Sequence, residues 1–169
     1  LKNIREIYGI TQEEIAKAVQ NLGYMGASVK RTTKTKKKKL KLFYEITSGK
    51  PYIVRTLKYD ISDKKIAEYL RNDSTQSMLR EGMLFDVNIL NAERQRITDY
   101  LLCNGYYKFN KDYITYTADT ARNTHQVDLT LHLLPYKTYV GDTPKEHFQY
   151  KINKINFITD YDVLQSSAL

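Results

Sequence analysis

The chain has 169 residues, 41% of them hydrophobic and 12% aromatic, with 15 Tyr, no Trp and a single Cys. No apolar run approaches the ~20 residues that a membrane-spanning helix needs, and one Cys supports neither an internal disulfide framework nor a cysteine-ligated metal site. The net charge of +8 is local: eight basic residues and no acidic one lie between Lys30 and Lys41, and the other 19 Lys and Arg balance the 19 Asp and Glu. A general nucleic-acid footprint would spread over a face with aromatics interleaved for base stacking, which this run lacks.

In chain order, residues 1–10 read as the tail of an incomplete unit. Thr11-Gln12-Glu13-Glu14 is a capping box that starts a helix, continued by Ile15, Val19 and Leu22 at helical spacing and ended by Gly23, with Tyr24 as a core anchor. A strand follows from about residue 26 to Lys36. A second, with Leu40, Leu42, Tyr44 and Ile46 on one face, makes Lys36, Lys37, Lys38 and Lys39 a hairpin connection. Ser48-Gly49-Lys50-Pro51 is a turn. Tyr52, Val54, Leu57 and Tyr59 form the next strand, and a short helix capped by Ser62 or Asp63 presents Ile66, Ala67, Tyr69 and Leu70.

Arg80-Glu81-Gly82-Met83-Leu84-Phe85-Asp86 is a bend that should insert Leu84 and Phe85 into the core. The long helix after it spans about 87–104, with Leu90, Ile97, Leu101 and Leu102 buried, Glu93, Arg94, Gln95 and Arg96 facing water, and Cys103 a small buried hydrophobe. Gly105 ends it. Tyr106 to Phe109 should open a strand that continues through Ile114, Tyr116 and Ala118. After a polar turn, Val127, Leu129, Leu131 and Leu133 alternate with Asp128, Thr130 and His132 as its partner. Residues 136–149 are a connector. Tyr150, Ile152, Ile155 and Phe157 then repeat the spacing of Tyr52, Val54, Leu57 and Tyr59.

The chain thus repeats itself. The helix ending on Gly23-Tyr24 returns 82 residues later as the helix ending on Gly105-Tyr106, each followed by a hairpin. The spacing predicts a piece of a longer array, divided as 1–49, the C-terminal part of one unit; 50–135, a complete unit; 136–149, the connector; and 150–169, the start of a further unit.

Catalytic patterns are weak. His125, His132 and His147 read as surface or half-buried histidines and lack metal-ligand spacing. Asp60 with Asp63, or Asp160 with Asp162, suit turns and a helix cap better than an acid–base pair. There is no glycine-rich phosphate loop, nucleophile elbow or Cys-His arrangement. No enzyme, cofactor or metal is expected.

The order strand, short helix, bend, long helix, hairpin, together with the 80–86 bend, Asn91-Ala92-Glu93-Arg94-Gln95-Arg96-Ile97, Asn104-Gly105-Tyr106-Tyr107 and Val127-Asp128-Leu129, resembles the POTRA (polypeptide-transport-associated) domain. Gly49-Lys50-Pro51-Tyr52 resembles the junction between consecutive POTRA units. The nearest family is that of the BamA/TamA-like outer-membrane assembly proteins of the surface antigen type. The tetralysine hairpin and the long connector depart from it.

The resemblance implies an α+β fold of tandem β-α-α-β-β units, each a three-stranded sheet covered on one face by two helices. It also implies a periplasmic, outer-membrane-attached scaffold in a parent chain carrying a β-barrel. Its partners would be unfolded outer-membrane proteins and assembly-complex subunits, bound by strand addition. In this chain that edge would be Ser28–Lys36 in the first unit and, in the second, a strand over 108–118, with Lys108, Asn110, Asp112, Ile114, Tyr116 and Ala118 as contacts. Gly23, Tyr24, Gly82, Phe85, Gly105 and Tyr106 would be structural. Lys34, Lys36, Lys37, Lys38 and Lys39 mark the alternative, a basic-hairpin module binding anionic lipid at a membrane surface or a polyanion such as nucleic acid; in the leading reading no nucleic-acid partner is expected.

Overall fold

Thr11 starts the first helix, α1 (Gln12–Asn21), with a reciprocal cap: its hydroxyl accepts from the Glu14 amide at 3.0 Å while Glu14 accepts from the Thr11 amide at 2.6 Å. A computed structural model of the chain describes residues 11–36, 39–120, 124–139 and 141–157. The expectations for 1–10, for Lys37 and Lys38, and for 158–169 lie outside the described residues.

After α1, strands β1 (Ser28–Lys36) and β2 (Lys39–Thr47) pair antiparallel as a two-stranded sheet. Val29 and Ala27 are buried, yet α1 contributes no fully buried side chain. That helix has a two-stranded hairpin to cover and no second helix beside it among the described residues.

The next unit is complete. Strand β3 (Ile53–Asp60), helix α2 (Lys64–Asn72), helix α3 (Val87–Cys103), strand β4 (Ile114–Thr120) and strand β5 (Gln126–Leu133) follow in the β-α-α-β-β order. The sheet runs β3-β5-β4, with β5 central, parallel to β3 and antiparallel to β4. Val127, Leu129, Leu131 and Leu133 point into the core from β5. Ile66 and Leu70 of α2 and Leu90, Ile97 and Leu101 of α3 meet them. Burying a side chain of this size contributes about 1.5–3 kcal/mol.

Three expectations about the elements themselves are revised. Of the bend pair, Phe85 enters the core, while Leu84 is 42% exposed because it forms a backbone bridge with Ile53 at the sheet margin. Leu102 and Cys103 are exposed: the last turn of α3 carries them past the core-facing stripe of Ile97 and Leu101. Residues 106–109 form a turn and Lys111–Tyr113 a 3₁₀ turn, so β4 begins only at Ile114. Residues 150–157, read as the start of a further unit, carry no assigned helix or strand among the described residues.

The repeat is visible bond by bond. The Gly23 amide donates to Gln20 O at 2.9 Å and Ala27 to Tyr24 O at 2.9 Å; their counterparts are Gly105 to Leu102 O at 3.0 Å and Phe109 to Tyr106 O at 2.8 Å. Gly23 and Gly105 both hold positive φ, +95° and +89°, in the left-handed region that ends a helix at low cost only for glycine.

Candidate functional site

A three-stranded sheet has two outer edges, and here they are treated differently. Along β3 the edge is occupied. Val54 N–H donates to Met83 O at 2.9 Å, Gly82 N–H donates to Val54 O at 2.8 Å, and Leu57 N–H donates to the Glu81 carboxylate at 3.1 Å. Gly82 makes this possible with φ +83°, turning the bend back onto the strand. Along β4 no strand or loop pairs with the outer edge among the described residues.

The phase of that open edge follows from one bond. Leu134 N–H donates to Tyr113 O at 2.7 Å, and in an antiparallel ladder alternate residues turn both backbone groups to the partner. With Ile114 opposite Leu133, the bonded residues are Thr115, Thr117 and Asp119. Ile114, Tyr116, Ala118 and Thr120 therefore direct their N–H and C=O groups outward. Lys108, Asn110 and Asp112, also expected on the edge, lie in the turns before the strand; Asn110 caps the 3₁₀ turn by accepting from the Asp112 amide at 2.8 Å. Tyr107 and Lys108 lie instead beside Tyr150, the ammonium 5.9 Å from its ring centroid.

The strand is held from both faces. On the core side, Tyr116 donates its hydroxyl to Leu90 O at 3.2 Å, and burial raises the pKa of that phenol, with the negative Glu93 adding to the shift. On the solvent side, His132 bridges all three strands, its Nδ1 2.9 Å from Asp60 on β3 and its Nε2 2.8 Å from Thr117 on β4. Beside it Arg55, and then Thr56, hold the Asp128 carboxyl down at about 2.

Sequence periodicity missed the polar centre of the unit. Glu93, expected to face water, is 1% exposed. Its carboxylate accepts from Arg96 Nε and Nη2, both at 2.9 Å, from the Ser77 hydroxyl at 2.9 Å and from the Met78 amide at 3.0 Å. Arg96 also pairs with Asp73. Burial would raise the Glu93 pKa, but the guanidinium and the two other donors outweigh it and the net shift is downward. Arg94, likewise expected in solvent, donates to Lys111 O at 2.9 and 3.1 Å and so fixes the approach to β4. The only sequence signal was the pair Glu93 and Arg96 at i,i+3.

The expected structural residues occupy the junctions. Gly23 is buried against Phe85, Tyr24 is half-buried, and Tyr106 is 1% exposed. The Tyr106 hydroxyl lacks a hydrogen-bond partner among the described residues, and burial pushes its pKa up to about 12. Of the histidines, His147 is buried against Phe109 and Tyr113 with Nε2–H donating to Leu134 O at 2.9 Å, where a surface or half-buried position was expected. No cluster of His, Cys, Asp and Glu among the described residues could hold a metal ion. On the hairpin, the register sets Lys34 opposite Lys41 and Lys36 opposite Lys39 on one face, with Lys34 5.5 Å from the Phe43 ring centroid.

No family model matches the chain, and no curated protein does. It is similar to solved POTRA-bearing structures. One is BamA from Haemophilus ducreyi lacking POTRA domains 1-3, at 17% identity and TM-score 0.42, covering 72% of this chain and 21% of that one. A second is Haemophilus influenzae BamA POTRA3-5, at 16% identity and TM-score 0.40, covering 72% and 45%. A third is the N-terminal domain of Omp85 from the thermophilic cyanobacterium Thermosynechococcus elongatus, at 14% identity and TM-score 0.37, covering 77% and 52%. The chain spans from about a fifth to about half of the length of these solved chains. Among the described residues no helix is long and apolar enough to cross a membrane.

Proposed function

We propose that the chain is part of a tandem POTRA-like array, a non-catalytic periplasmic scaffold that receives extended segments of unfolded outer-membrane proteins or assembly subunits by strand addition at β4. The observation that carries this reading is the asymmetry of the sheet: β3 is closed by the 82–85 bend and Glu81, while β4 keeps an outward row of backbone donors and acceptors. Backbone pairing needs no particular client sequence, which suits many clients. Residues 150–157 are read as the first strand of a further unit. In such an array the parent chain carries a membrane β-barrel.

An extended porin-type peptide titrated onto isotope-labelled protein is expected to move the amide signals of Ile114, Tyr116, Ala118 and Thr120 most. Ala118→Pro removes one outward donor and leaves the ladder to β5 intact, so binding should weaken about tenfold, one net hydrogen bond, with unchanged circular dichroism. Shifts scattered over the surface, or equal binding by the Pro variant, would refute the edge reading.

A second reading concerns the hairpin. Like charges directly opposite one another destabilise a ladder, and two such lysine pairs share one face here. An anionic surface relieves that repulsion, each Lys near the surface contributing about 1 kcal/mol. Sedimentation with anionic vesicles that is lost at high salt, and absent with neutral vesicles, is the expected result.

A further inference from the structure

The hydrogen bond that joins the first helix terminus to the following strand is made a second time. Tyr52 N–H donates to Gly23 O at 2.8 Å, and Tyr150 N–H donates to Gly105 O at 2.7 Å. At the first junction the strand is then covered: Phe85 N–H donates to Tyr52 O at 2.9 Å, Val54 and Gly82 exchange bonds with the bend as described, and a Cβ on Gly23 would lie 3.1 Å from Phe85 O. Gly23, the start of β3 and the bend 82–85 form one stack. Val54 is 1% exposed within it.

At the second junction the stack stops after two layers. Tyr150 O, Ile152 N–H and Ile152 O have no backbone partner among the described residues. Ile152 is 82% exposed, where its counterpart Val54 is buried. Leu102, Gly105, Tyr107, Tyr150 and Ile152 line a hollow of about 670 Å³ at this place.

We propose that this hollow is a receptor for a bend of the same chemistry as residues 82–85: one glycine followed by apolar residues and an aromatic, supplied by a following unit. This rests on the reading of 150–157 as the start of such a unit. By the equivalence of Tyr150 with Tyr52 and Ile152 with Val54, the aromatic residue's N–H donates to Tyr150 O. The Ile152 N–H donates to the carbonyl two residues before that aromatic, and the glycine N–H donates to Ile152 O. The occupant is defined by its backbone pattern and small–apolar–aromatic order, which the β4 edge does not demand.

The test is titration of the labelled chain with a peptide copying residues 80–86. Amide shifts at Gly105, Tyr150 and Ile152 are expected. They should weaken about tenfold with the same peptide carrying N-methyl-phenylalanine, which keeps the side chains and removes one donor. Ile152→Asp, at an exposed position that leaves the fold intact, should abolish them. Equal binding of the N-methyl peptide overturns the proposal, as does the absence of shifts at Gly105. Shifts confined to Ile114–Thr120 overturn it too, while leaving strand addition at β4 standing, and a porin-type peptide that moves only Gly105 and Tyr150 has the opposite meaning.

Discussion

Replacing Arg96 by Met is expected to destabilise the complete unit by about 3–5 kcal/mol, the cost of leaving a buried carboxylate without its countercharge. The side chain of Glu93 is 1% exposed and that of Arg96 20%, so the pair is shielded from the water that makes surface ion pairs nearly neutral in energy. Both carboxylate oxygens accept from the guanidinium, and the remaining capacity is taken by Ser77 and Met78. The network pins the segment between α2 and α3, including the 3₁₀ turn Ser74–Gln76, to the middle of α3. Met fills much of the volume of Arg without offering a donor, which isolates the electrostatic loss from a cavity.

The pH dependence separates this account from simple loss of packing. In the native protein the Glu93 pKa is lowered, so its contribution is present above the unfolded value and is lost as pH falls through the folded one. Without Arg96 the largest of the lowering contacts is gone, and the folded pKa rises above its value in the native chain. Acidification then stabilises the variant relative to the native chain, and the gap between the two should narrow from about pH 7 to about pH 4. Urea unfolding of both proteins across that range measures it. A constant gap would show that the destabilisation is not carried by the charge on Glu93.

The apolar skeleton was legible in the sequence because it is periodic. Val127, Leu129, Leu131 and Leu133 alternate, Ile97 and Leu101 recur at i,i+4, and the Thr11 box and Gly105 mark helix ends by local chemistry that needs no tertiary partner. Glu93 was illegible for the converse reason. A carboxylate looks the same on a solvated face and at the centre of a satisfied network, and its partners Ser77 and Met78 lie 16 and 15 residues away. The start of β4 was misread because Tyr106, Tyr107 and Phe109 have strand propensity, while Tyr106 and Phe109 are buried through a turn. Leu102 and Leu84 show that an apolar residue beside a core stripe is not thereby in it. What closes the β3 edge, a glycine bend and one Glu side chain, depends on register that no local pattern encodes.

Replacing Asp63 by Ala should cost about 2–4 kcal/mol, because this one carboxylate performs two structural tasks. One oxygen caps α2, accepting from the Lys65 and Ile66 amides at 3.1 and 3.2 Å, and the other accepts from the His147 amide at 3.0 Å. Losing a cap costs about 0.5–2 kcal/mol, and orphaning a buried amide about 1–3. The second bond holds the connector in place, since His147 is buried against Phe109 and Tyr113 and leads within three residues to Tyr150 on Gly105. Asp63→Asn divides the two tasks. Asn is as good a helix cap as Asp, but once its oxygen faces Lys65 and Ile66 its NH₂ group faces the His147 N–H, donor against donor. Hydrogen exchange in Asp63→Asn should therefore leave the Lys65 and Ile66 amides protected and expose those of His147 and Tyr150; in Asp63→Ala all four should exchange faster. Protection of His147 in the Asn variant would mean that the connector is held by its aromatic contacts alone. The predicted pattern would instead make Asp63 the link through which the packing of α2 sets the position of residues 147–150.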